Sequence, residues 1–342
     1  MTPGNLKEAL LYQKHPDGRV FCQLCPHYCW IDPGKRGICQ VRQNRGGSLY
    51  TLVFGRTVTQ NVDGIEKKPL FHFYPDSNTY SLATAGCNFH CPYCTNWQVS
   101  QLSTEAFVQM GIETSPEQIV AAALDARCRS IAYTYVEPTI FFEYSHDIAR
   151  LAQKSGLLNV FKTNGFMSRE MLACCQSYLD AANVDLKAFR DKTYHYFGGR
   201  LQPVLDSLKF IKTQGIWLEV TTVVIPGIND QPGELDDIAQ FIAQELGVDT
   251  PWHITRFFPA YKLESIPPTP LETLYQARDI GFRAGLQYVY LQNVLASGKQ
   301  DTVCPHCGAV VIQRRGFQLL DNRLHNHRCP CCQGKIAGMG LD

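Results

Sequence analysis

The chain has no long hydrophobic run. Nowhere in its 342 residues do about 18 apolar residues follow one another, the length that a membrane-crossing helix requires. Met1 to Leu11 carries no apolar core of a secretory signal. Charge of one sign is also missing: 32 Lys and Arg balance 31 Asp and Glu, for a net charge of +1. No broad basic or acidic field therefore selects a polyanion or a polycation as partner. Charged residues make up 18% of the chain, below the usual quarter, and no internal repeat or low-complexity tract is visible. These absences argue against a helical membrane span and against a disordered or fibrous chain. What is left is a globular chain, expected to be soluble and cytoplasmic, with 45% hydrophobic residues and room for one large core plus smaller lobes.

Cysteine is not lacking. There are 15, and they cluster in short spacings that in a reducing compartment mean metal sites, not disulfides. Eleven fall into three sets, leaving Cys128, Cys174, Cys175 and Cys331 as buried or spare thiols. The densest set is Cys87-x-x-x-Cys91-x-x-Cys94. Random placement would give roughly 0.03 such triplets in a chain of this composition. Three thiolates on one irregular loop suit a cubane iron–sulfur cluster, which takes a ligand on each of four irons. With three local cysteines one iron stays open, and an open metal position is where a substrate or cofactor binds. The plainer alternative is a zinc site completed by a distant ligand.

The other two sets flank it. Cys22, Cys25, Cys29 and Cys39 lie among tight glycine turns at Gly34 and Gly37. A lobe this short cannot bury enough apolar surface to fold unaided, so a metal there has a structural purpose. Zinc is the favoured occupant and an auxiliary iron–sulfur cluster the other. In the tail, Cys304-x-x-Cys307 and Cys329-x-x-Cys332 form paired knuckles of the kind that bind zinc. Gly64 to Asp76, with its prolines, reads as an ordered connector, in which His72 is left unassigned between a ligand and a packed residue.

From Thr79 the pattern alternates strand and helix. Strands are expected at Tyr80–Thr84, Ser130–Val136, Asn159–Asn164, Ala182–Lys187, Trp217–Ile225, Trp252–Phe257 and Tyr288–Gln292. Ser115-Pro116-Glu117-Gln118 carries the signature of a capping box, and Thr269-Pro270-Leu271-Glu272 is expected to cap the last helix. Such alternation implies a parallel sheet in a partial (β/α)6-type barrel. The expected organisation is an N-terminal cysteine-rich lobe over 1–60, the barrel over 61–298 and a zinc-ribbon-like lobe over 299–342. Chemistry in such barrels sits at the C-terminal strand ends, and these are polar here: Glu137-Pro138, Thr163-Asn164-Gly165, and Asp185 with Lys187 on one face. The alternative for Asp185 and Lys187 is a salt bridge inside the barrel, and for Glu137 a charge at a helix N-terminus.

The triplet, with Tyr93 just before its last cysteine, resembles the radical S-adenosylmethionine (SAM) superfamily. That resemblance implies a [4Fe-4S] cluster on Cys87, Cys91 and Cys94, SAM on the open iron, and Tyr93 against the adenine. It also implies an electron donor, and a 5′-deoxyadenosyl radical that takes hydrogen from a substrate. Thr163-Asn164-Gly165-Phe166, Asp185-Leu186-Lys187 and Val223-Val224-Ile225-Pro226-Gly227 resemble stretches of the pyruvate formate-lyase activating enzymes. That likeness implies SAM contacts at Thr163, Asp185 and Lys187. The superfamily's Gly-Gly-Glu-Pro is Tyr135-Val136-Glu137-Pro138 here, so its SAM-facing glutamate corresponds to Glu137. An aspartate of the activases is replaced by Lys162. Nearly the whole chain, including Glu66-Lys67-Lys68-Pro69-Leu70-Phe71-His72-Phe73-Tyr74-Pro75, resembles the radical SAM enzymes of the AmmeMemoRadiSam system. This implies association with AMMECR-like and MEMO-like proteins. The substrate is not implied: a protein partner, a small molecule and a nucleic acid all remain open. A non-enzymatic zinc protein that binds partners through its knuckles is the reading from another class.

Overall fold

A computed structural model describes residues 6–101, 110–294 and 298–342. Its centre is an eight-stranded sheet in which spatial order follows chain order: β1 Thr59–Gly64, β2 Asn78–Ala83, β3 Ser130–Tyr133, β4 Leu158–Thr163, β5 Ala181–Asp185, β6 Trp217–Val224, β7 Trp252–Arg256 and β8 Val289–Gln292. β2 to β8 are all parallel, and helices such as Pro116–Asp125, Phe142–Lys154, Leu201–Thr213 and Leu271–Arg283 alternate with them. This is the partial α/β barrel that the alternation predicts. Both faces of its strands are covered, so β3 and β8 are buried along their whole length. Among the described residues no helix is long and apolar enough to cross a membrane.

The strand β1 was not expected. It pairs antiparallel with β2 from Thr59 opposite Ala83 to Gly64 opposite Asn78. Its sequence, Thr-Gln-Asn-Val-Asp-Gly, has no hydrophobic alternation, because an edge strand buries little. The Ser115 capping box forms as expected: Gln118 N donates to Ser115 Oγ at 3.3 Å and Ser115 N to Gln118 Oε1 at 2.7 Å. Thr269, in contrast, does not cap the last helix. Its hydroxyl donates to Val224 O at 2.6 Å and accepts from Phe257 N at 2.9 Å, tying β6 to the segment after β7.

The N-terminal end of the barrel is closed by the connector and the tail. Glu219 on β6 is buried and takes four donors: Phe71 N at 3.0 Å, His72 N at 2.8 Å, Trp217 Nε1 at 2.9 Å and His253 Nε2 at 2.6 Å. Burial, the largest single influence, would raise its carboxyl, but the bond and charge of His253, the charge of His72 and the Trp217 bond together outweigh it and hold the carboxyl below the usual range. His72, left open between a ligand and a packed residue, is packed here, with Nδ1 2.6 Å from Ala337 O and Nε2 2.5 Å from Tyr290 OH. The tail sheet, Thr302–Val303, Val310–Arg315 and Gln318–Asn322, lays Val311 and Ile312 on Phe71, Tyr288 and Tyr290. Arg314 donates to Phe71 O at 2.7 Å and to Thr302 Oγ1 at 2.8 Å.

The N-terminal lobe is two small three-stranded sheets, one of them built from Tyr12–Lys14, Val20–Cys22 and Trp30–Ile31. It docks on the barrel through a buried ion pair of Arg42 with Glu143, which lies on the helix Phe142–Lys154. Leu10 N adds a bond of 2.7 Å to the same carboxylate.

Replacing Glu219 strands two backbone amides, an indole and a histidine in a dry interior. Glu219→Ala is expected to cost about 3–5 kcal/mol, read by urea denaturation, and to speed proteolysis within the tail. Unchanged stability would show that these donors find other partners.

Candidate active site around the Cys87 loop

The loop after β2 carries Cys87, Cys91 and Cys94. Gly86 has φ 102°, and a Cβ there would meet Val41 Cγ1 at 2.7 Å, so the N-terminal lobe presses directly on the turn into the loop. Asn88 Nδ2 donates to Phe166 O at 3.1 Å, Asn164 Nδ2 to Asn88 Oδ1 at 2.8 Å, and His90 N to Phe197 O at 2.8 Å. Held this way, all three thiols border one cavity of ≈ 460 Å³ at the C-terminal strand ends. Burial pushes the Cys91 thiol up to about 11 and Cys87 well above its ordinary value. The bare Cys87 and Cys91 thiols are therefore neutral, and an incoming metal must expel their protons.

Tyr93, Glu137, Thr163, Asp185 and Lys187 line the same cavity. The structure thus brings the residues expected around SAM together with the expected cluster ligands. Asp185 lies between two ammonium groups. Lys187 Nζ is 3.1 Å from Oδ2, and Lys162 Nζ bonds Oδ1. Burial would raise the Asp185 carboxyl, but the two lysines outweigh it and hold it at about 2. Lys187 is raised well above its ordinary value because Asp185 overcomes the desolvation that opposes its charge. Lys162 is lowered, desolvation there being the larger effect. Lys187 Nζ also sits 5.6 Å from the Tyr93 ring centre, a cation–π contact. The salt bridge weighed as the alternative for this pair is present, and both side chains also line the cavity.

Glu137 is buried and fully engaged. Oε1 accepts from Thr163 Oγ1 at 2.7 Å, Thr139 Oγ1 at 2.6 Å and Thr139 N at 3.2 Å, and Oε2 accepts from Asn164 N at 2.7 Å. Burial raises its carboxyl, and these donors oppose the rise. It ties the end of β4 to the short helix Pro138–Phe141, whose N-terminus it caps. Tyr135, where the resemblance expects glycine, has φ 63°. Its hydroxyl donates to Asp63 at 2.5 Å, and Lys68 lies 4.7 Å from its ring, which holds the left-handed backbone in place.

Arg256, one of the polar residues expected at the end of β7, also lines the cavity, whereas Lys162, Gln292 and Phe317 are among the lining residues that escaped the sequence reading as site residues. Lys162 had a signal, a lysine among the buried apolar residues of β4. Phe317 had none, since it comes from a turn of the tail lobe.

The tail cysteines form a separate site. Cys304 Sγ lies 3.6 Å from Cys332 Sγ, and Cys307 Sγ 3.6 Å from Cys329 Sγ, with all four within 4.8 Å of one another. Thiolates around one tetrahedral ion stand about 3.8 Å apart for metal–sulfur bonds of about 2.3 Å, so this set could hold a metal ion. Of the three cysteine sets it is the one drawn together this closely among the described residues.

The model of the radical SAM superfamily matches residues 81–242. The uncharacterized protein MJ0808 of Methanocaldococcus jannaschii is 41% identical over 333 residues, covering 97% of this chain and 99% of that one. The putative glycyl-radical enzyme activating enzyme MJ1632 of the same organism is 25% identical over 65% of this chain and 81% of that one. Among solved structures, a domain of pyruvate-formate lyase-activating enzyme from Bacteroides vulgatus is 14% identical, covering 48% of this chain and 99% of that one, with a TM-score of 0.43. Streptococcus suis SuiB bound to S-adenosylmethionine is 12% identical over 67% of this chain and 53% of that one, with a TM-score of 0.49. With three cysteines of the superfamily's spacing on one cavity at the strand ends, the chain belongs to the radical SAM superfamily, a superfamily of enzymes.

Proposed function

We propose that Cys87, Cys91 and Cys94 hold a [4Fe-4S] cluster and that SAM binds in the adjoining cavity, in an enzyme that abstracts hydrogen from a protein partner. The observation that carries the reading is the convergence of three thiols with Tyr93, Asp185 and Lys187 on one cavity. Bound together, cluster and SAM supply an electron and a 5′-deoxyadenosyl radical. The protein's own groups position SAM. The paired lysine and aspartate face its carboxylate and amino group, Thr163 its hydroxyls, and Tyr93 its adenine. Glu137 keeps the strand ends that carry these groups in register. A protein substrate is supported by the likeness to MJ1632 and by the cavity's rim, where the half-exposed Phe258 and Phe317 offer an apolar surface to a polypeptide. The long resemblance to the AmmeMemoRadiSam branch makes AMMECR-like and MEMO-like proteins the partners to test first. An external electron donor is required, the oxygen sensitivity of the cluster suits the cytoplasm, and zinc is the metal proposed for the tail.

The Cys87→Ala/Cys91→Ala/Cys94→Ala variant is expected to lose about four irons per chain and all SAM cleavage to 5′-deoxyadenosine, while keeping a cooperative melt. Unchanged 5′-deoxyadenosine formation would end the reading.

Lys187→Ala leaves Asp185 paired with Lys162, whereas Asp185→Ala leaves two buried lysines facing each other. Lys187→Ala should weaken SAM binding at least tenfold by calorimetry at a small cost in stability. Asp185→Ala should cost about 3 kcal/mol or more. Normal SAM affinity with a much lower melting temperature in Lys187→Ala would make the pair purely structural.

Asp185 is held at about 2, below the unfolded value of about 3.9. Its contribution is therefore complete above about pH 4 and lost as pH falls toward 2. The melting-temperature gap between wild type and Asp185→Asn should stay constant from pH 5 to 8 and shrink on acidification. A gap that widened in acid would contradict the assignment.

A further inference from the structure

The N-terminal cysteines stand against the back of the Cys87 loop. Cys39 O lies 3.3 Å from the position a Cβ on Gly86 would take. His27 Nε2, two residues beyond Cys25, is 2.8 Å from Asn88 O, and Arg200 bonds Pro26 O from the barrel side. The two sets are therefore separated by little more than one layer of backbone.

Two observations distinguish this set from the tail. Its sulfurs are not drawn within 4.8 Å of one another as the tail sulfurs are. A cluster carries its thiolates on different irons and holds them farther apart than a single ion does. The second observation is Arg42. It is fully buried, its charge is balanced by Glu143, and Nη1 donates to Cys22 Sγ at 3.1 Å. Its Nε is buried with no hydrogen-bond partner among the described residues. A single ion offers this donor only the cysteine sulfurs themselves, one of which Nη1 already takes. A cluster brings inorganic sulfides, and N–H bonds to cluster sulfurs tune its potential.

We propose that Cys22, Cys25, Cys29 and Cys39 hold a second iron–sulfur cluster, not zinc, with Arg42 as the positioning residue that hydrogen-bonds its sulfurs. Four thiolates close this cluster, so no iron is open to SAM. The site does not depend on which substrate the enzyme takes.

The test is the metal content of the full chain purified anaerobically without added iron or sulfide. Wild type should hold about eight irons with matching sulfide and about one zinc. Mössbauer spectra should show SAM perturbing iron at one cluster while the other stays unchanged. Cys22→Ser/Cys39→Ser should halve the iron and keep the SAM-dependent change. About four irons and two zincs in wild type would overturn the proposal, and that count decides without any variant. Arg42→Gln should shift the potential of the SAM-insensitive cluster, and an unshifted potential would remove the role given to Arg42.

Discussion

A barrel that is open and polar along its axis must satisfy every inward group, and that requirement organises this protein. The inner faces of β4 to β7 carry Lys162, Asn183, Asp185, Glu219, Thr221 and His253, most of them buried or nearly so. Each is answered from within. Asn183 takes Lys162 Nζ at 2.7 Å and Thr221 Oγ1 at 2.7 Å, and gives its amide to Pro69 O at 2.6 Å. Below it Glu219 collects the connector and His253, and above it Asp185 collects two lysines. An uncompensated carboxylate at any of these depths would cost more than a typical domain can spare. The connector and tail therefore complete the barrel's electrostatics as well as covering an apolar surface.

The same requirement explains how the cavity acquires its charge pattern. Burial raises carboxyls and lowers amines, yet Asp185 and Lys187 remain ionised because each supplies the other's counter-charge. Glu137 is answered by hydroxyls and amides without a cation, and its carboxyl is raised. The strand ends thus present one firmly charged pair and one carboxylate occupied in holding backbone. A ligand that carries an amino group and a carboxylate meets the pair first.

Much of this was legible in the sequence, for definable reasons. All seven parallel strands follow from β-branched and apolar runs broken by turn signals. The capping box at Ser115 follows from local hydrogen-bond chemistry. The five residues expected around SAM meet because short polar motifs at strand ends converge in any parallel barrel. The misses are of another kind. β1 is polar because it is an edge. Thr269 has a helix-capping context, but two long-range partners, Val224 and Phe257, outbid the local one. Gln292 and Phe317 reach the cavity through tertiary placement that no spacing rule encodes.

The three cysteine sets show where spacing stops being informative. Each contains a Cys-x-x-Cys step, so local sequence makes them look alike. What separates them is the support around the sulfurs. The tail set hangs on tight antiparallel turns, and its thiols close to ion-sized separations. The Cys87 loop is pinned by Asn88, Asn164 and Phe197 with its thiols facing a cavity. The N-terminal set is not gathered as closely as the tail set, and its Cys22 accepts from a buried guanidinium that is itself anchored to the barrel helix by Glu143. A buried arginine is expensive unless its hydrogen-bonding groups are all used. Here Nη1 and Nη2 are used, and Nε has no partner among the described residues. The same side chain that docks the lobe on the barrel thus leaves a donor for an acceptor that none of the described residues provides.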